Sequence, residues 1–112
     1  MPLQYAYDHF VKLTTADSKD KAQPYLTKEQ FGRFFRQAFK GEVTEKQTIT
    51  MGREVGTVRY FFYQFYDTAW KEYEVNANCK EKYVRLLSDN LNGFPYKTTF
   101  SNFAKEPGRK IG

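Results

Sequence analysis

A chain of 112 residues suits one domain around one core, and 11 Phe, 9 Tyr and 1 Trp can fill that core where Leu and Ile are sparse. This composition excludes a disordered chain, the lack of a long apolar run excludes a membrane span, and a single Cys excludes an internal disulfide. The net charge of +5 favours polyanionic partners, against the plainer reading that it only keeps a small domain soluble.

The charge is uneven along the chain. Residues 1–26 are neutral overall. Residues 27–53 hold six basic and three acidic side chains, residues 54–75 two and four, and residues 76–112 seven and three. No export-signal pattern opens the sequence, since Asp8, His9 and Lys12 interrupt the first apolar positions. The expected compartment is therefore cytoplasmic, which the lone Cys79 also suits.

In chain order, Leu3, Ala6, Tyr7, Phe10, Val11 and Leu13 follow helical spacing and predict a helix over 3–14. Residues 15–24 are polar and aperiodic and close on Pro24, as a loop does. Thr27 and Gln30 form a capping-box pair, and Leu26 with Phe31 stands at the hydrophobic-staple positions. They open a helix over 27–40 with Phe31, Phe34, Phe35, Ala38 and Phe39 on one face, stopped by Gly41. Residues 42–53 read as an extended loop or a short strand, with Thr48, Ile49 and Thr50 β-prone.

Residues 57–74 predict a long helix, apolar nearly all round and hence central; a strand is the runner-up, because Val58 to Tyr63 is β-rich. Asn78 and Glu81 suggest a second capping box, opening a helix over 79–91 with Tyr83, Val84, Leu87 and Leu91 inward. The turn at 92–95 leads to a short helix over 96–105 with Tyr96, Phe100 and Phe103 inward. Residues 106–112 read as a frayed basic tail on a single helical domain, 1–105. The fold expected is mainly α: a small bundle of about five helices, with any short β element near 43–52, like a helix-turn-helix or winged helix.

No constellation for catalysis stands out. His9 has no neighbour to set its tautomer. Cys79 sits at a helix start but lacks a base, and one His with one Cys cannot build a typical zinc site. The carboxylate pairs Asp17/Asp20, Glu42/Glu45 and Glu72/Glu74 fall in loops or at a helix end, and the glycines are dispersed, with no phosphate-cradling loop. The expectation is a chain without enzymatic activity, cofactor or metal.

What remains is charge. Arg33, Arg36 and Lys40, with Lys28, lie off the Phe face of their helix. Lys97, Lys105, Arg109 and Lys110 accompany Thr98, Ser101 and Asn102. Cations beside small polar side chains suit phosphates, and Asn102 suits a base edge. Helices 79–91 and 96–105 around Gly93 have the outline of a helix-turn-helix, although Asp89 stands where a small residue is expected and Asn102 where an apolar one is. The aromatics fall at core spacing more than at stacking positions.

Residues 57–105, a long helix, a capped helix, an N-G-F turn and the T-T-F-S-N-F helix, resemble the C-terminal part of RteC-like regulators of Bacteroides conjugative elements. That similarity implies a mobile-element accessory protein or regulator related to winged-helix DNA binders. Phe31-Gly32 with Arg36 and Phe39 is also similar to the helix of RFX-type winged-helix domains, which would make Ile49 to Phe62 the wing. The basic stretch there is reduced to Arg53 to Arg59 around Gly56. The reading is a DNA-binding or regulatory domain. The alternative is a protein-interaction or structural module, with a protein partner or a second copy in place of DNA.

Overall fold

The computed structural model describes residues 2–73 and 79–111. The elements are α1 (Leu3–Phe10), α2 (Lys12–Thr15), β1 (Asp17–Ser18), β2 (Gln23–Pro24), α3 (Lys28–Lys40), α4 (Val55–Tyr73), α5 (Lys80–Ser88) and α6 (Tyr96–Ser101). The fold is mainly α, a small bundle, with α2 a single turn that continues α1 after a break at Val11. Among the described residues no helix is long and apolar enough to cross a membrane.

Helix α3 starts where its cap chemistry requires. Thr27 Oγ1 accepts from the Gln30 amide at 3.1 Å, and Gln30 Oε1 accepts from the Thr27 amide at 2.9 Å, so two otherwise orphan donors are satisfied reciprocally. It ends at Gly41, whose φ of 70° suits a residue without a Cβ. Asn78, the expected cap of α5, lies outside the described residues.

Helix α4 is the axis of the core, as its all-round apolar pattern predicts. On one side Phe61, Phe62 and Phe65 meet Phe10 of α1, with the Phe10–Phe65 centroids 4.7 Å apart, and Phe62 reaches Phe34 of α3. On another side Tyr63 and Tyr66 hold Phe103 at 5.7 and 5.8 Å. Helix α5 touches both sides, with Tyr83 against Phe65 and Tyr66, and Asn90 just beyond it accepts from Gln37 Nε2 of α3 at 2.8 Å.

Three expectations are corrected, and the open choice for residues 42–53 is resolved. The ribbon forms within the predicted loop 15–24: β1 and β2 pair antiparallel, Asp17 with Pro24 and Ser18 with Gln23, through a turn with Ala22 at φ 53°. Residues 42–53 take the first of their two expected forms, an extended loop, with an isolated parallel bridge of Gln47 to Leu91. The stretch from Ile49 to Phe62 forms no hairpin wing, because it is helical from Val55 onward, with Val58 buried and Phe61 and Phe62 packed on Phe10 of α1. The segment 106–111 is not frayed: Ile111 is buried and Arg109 enters an internal hydrogen-bond network.

Candidate nucleic-acid interface

The ten residues singled out from sequence fall into four environments. The first commits Arg109, its side chain 41% exposed, to partners within the chain. Glu54, 8% exposed, sits just ahead of α4. The Tyr25 hydroxyl donates to its Oε2 at 2.7 Å, and the Lys19 amide to its Oε1 at 3.0 Å. Arg109 Nη1 donates to that same Oε1 at 2.7 Å and to the Tyr25 oxygen at 2.9 Å, while Nη2 reaches the Asp17 carbonyl at 3.2 Å. A buried carboxylate must be paired or become neutral. Burial alone would raise the Glu54 pKa, but these donors outweigh it and hold the group below its ordinary value. Burial, then the bond to Glu54, pushes the Tyr25 hydroxyl up to about 12. Thr57 Oγ1 donates to the Arg109 carbonyl at 2.9 Å and anchors the same segment.

The second environment is the outer side of α6. Pro95 begins the helix, and its register turns Thr99 and Phe103 inward. Phe103 is inward as expected, while Thr99 takes the fully buried place expected of Tyr96 and Phe100. Tyr96 and Phe100 are half-buried against α5, with Arg85 over the Tyr96 ring at 4.5 Å and Lys80 over the Phe100 ring at 3.9 Å. The opposite side exposes Lys97, Thr98 and Ser101, with Lys105 beyond the helix end. Asn102 is half-committed: its Nδ2 donates to the Thr98 carbonyl at 3.0 Å, and its own carbonyl accepts Arg59 Nε at 3.0 Å. Lys110 lies 3.8 Å from Glu106 and over the Tyr60 ring at 5.2 Å.

Arg33 occupies the third. Its Nη1 donates to Gln47 Oε1 at 3.2 Å, one rung of a polar ladder along α3. Gln37 Oε1 accepts the Thr44 amide at 2.8 Å, and Gln30 Nε2 donates to the Thr48 carbonyl at 3.3 Å. This edge of α3 holds the 44–48 segment in place, where the sequence alone suggests solvent and phosphate.

The fourth is a groove of about 520 Å³ between α1 and α3. Lys28, Gly32, Arg36 and Lys40 recur every fourth residue and form one ridge along α3. The Arg36 guanidinium lies back over Gly32, where an added Cβ would stand 3.1 Å from Nη1. Phe31 and Phe35 form the floor, 6% and 8% exposed, and Tyr7 of α1, 43% exposed, forms the far wall edge-on to both rings. Tyr7 is not a candidate that sequence reasoning offers. The four-residue spacing of the basic ridge is visible in the sequence, but which face of α1 opposes it is not.

Among the described residues, no hydrogen bond, ion pair or ring contact joins α3 to α6 or to residues 102–110. The segments 27–53 and 76–112 do meet, through Gln37 with Asn90 and the Gln47–Leu91 bridge, but that seam does not join the cations of α3 to those of α6. His9, the one imidazole, is stacked on Phe61 with centroids 4.1 Å apart, and its Nε2–H donates to the Phe61 carbonyl at 2.9 Å. Burial pushes its pKa down to about 4, so the ring is neutral near pH 7. No family model, no curated protein and no solved structure matches this chain.

Proposed function

We propose that this chain is a non-enzymatic DNA-binding accessory domain that meets duplex DNA through the exposed side of α6. The observation that carries the reading is that side itself. Lys97 and Thr98 occupy the first turn of the second helix of an α5–turn–α6 pair, Ser101 follows one turn later, and all three are exposed while Thr99 and Phe103 anchor the opposite side. In a helix-turn-helix, the N-terminal residues of the second helix approach the bases, and surrounding cations and hydroxyls hold the phosphates. Lys105 extends the cationic line beyond the helix end, and the similarity of residues 57–105 to RteC-like regulators points the same way. The helix is short, roughly 9 Å long, which suits a limited footprint completed by a second copy or a larger assembly. Arg109 and Arg33, bound internally, drop out of the proposed contacts.

Binding of a fluorescent duplex, measured by anisotropy across a salt series, tests the proposal. Wild type should bind at low salt and weaken as salt rises. The double variant Lys97→Gln/Lys105→Gln should bind more weakly, with a log–log salt slope shallower by about 2, one for each phosphate no longer neutralised. Failure to bind any duplex or single strand at low salt overturns it.

A further inference from the structure

No residue of α6 lines the α1–α3 groove, so the DNA reading leaves it unused. We infer that this groove docks a short acidic segment of a partner protein, one that carries an aromatic or branched aliphatic anchor. Three features select that occupant. The rim is cationic: Lys28 and Lys40 have no ion-pair partner among the described residues, and no carboxylate lines the groove. The third cation already shows its preferred ligand, because Arg36 Nε sits 3.5 Å from Glu42 Oε2 of its own chain, at an exposed pair that an incoming carboxylate can replace. The floor is apolar and concave, with Phe31, Phe35 and Val11 against Tyr7, so it receives a side chain.

A single-stranded nucleic acid fits less well. Stacking requires open ring faces, and Phe31 and Phe35 are almost wholly covered. From Lys28 to Lys40 the ridge runs about 18 Å, the reach of roughly five or six extended residues.

The test is a display library of peptides of about a dozen residues, rich in Asp and Glu around randomised apolar positions, selected on the full chain. Enriched peptides are then measured by anisotropy. Acidic sequences with a Phe, Trp, Leu or Ile anchor should emerge. Lys28→Glu/Lys40→Glu should weaken them about tenfold or more, and Tyr7→Ala should weaken them with its circular dichroism unchanged. Glu42→Gln should tighten them severalfold by freeing Arg36. Lys97→Glu/Lys105→Glu, which makes the same change in net charge, should leave peptide affinity unchanged, so this result stands apart from the DNA test. The inference is overturned by no enrichment, by peptides insensitive to the Lys28/Lys40 reversal, by groove-dependent binding of oligo-dT, or by self-association that the same reversal abolishes.

Discussion

His9 is a residue whose environment decides its charge. A ring stacked on Phe61, beside Phe10 and Phe65, loses water on its faces and keeps one hydrogen bond that its neutral form satisfies. Its folded-state pKa of about 4 lies below the ordinary 6.5. The unfolded chain therefore binds the proton more readily, and the ring's contribution is present above pH 6.5 and drains away as pH falls through the folded value. From pH 7 to pH 4 this one group should remove roughly 2 to 3 kcal/mol of stability. Urea melts of wild type and His9→Phe at both pH values check it: the variant should lose less stability than wild type by that amount. Equal losses would show that the ring titrates normally. Glu54 acts in the same direction at lower pH, since its depressed pKa stabilises the fold above its unfolded value and ceases to as the carboxylate is protonated.

At the scale of elements, α3 combines three separate functions on three edges. Its Phe edge enters the core, its Arg33–Gln37 edge holds residues 44–48, and its Lys28–Arg36–Lys40 ridge walls the groove. All three depend on where the helix starts, so the capping box sets the register of the site. Thr27→Ala should cost about 1 kcal/mol in chemical denaturation and weaken acidic-peptide binding at the groove, while Thr27→Ser retains most of both. A Thr27→Ala chain as stable as wild type would mean that neighbouring contacts, and not the cap, fix the start. The boundaries of α3 were legible because cap, staple, periodicity and C-terminal glycine agreed. The face of α6 was only partly so, since Tyr96 and Phe100 are as apolar as core residues and only the docking against α5, with Lys80 and Arg85 over the rings, shows why they stay half-buried.

For the whole molecule, a helical bundle around the aromatic α4 followed from composition and periodicity. What the sequence could not show is what pairs over long distances. Asp17 and Pro24 join in a ribbon through Ala22, a residue with no special preference for φ 53°. Likewise, nothing local to E-P-G-R-K indicates that Arg109 would find Glu54. The same limit explains the candidate site. Each basic residue was visible, but whether it met phosphate, Gln47, Glu42 or Glu54 depended on chain segments far away in sequence.

That last pairing also bears on how the molecule opens. Arg109 bonds to residues 55 and 92 positions earlier, and contacts of such separation require large loops to close before they are rewarded. The Arg109 network should therefore form after the transition state for folding, once α1, α3 and α4 have come together. Interactions absent from that state act on the rate of escape from the native basin. In stopped-flow chevrons Arg109→Ala should raise the unfolding limb and leave the folding limb almost where it was; a folding limb that fell in step would put the network in the nucleus. A few residues at the end of the fold would then set how long each native molecule lasts, with little influence on how quickly it arises.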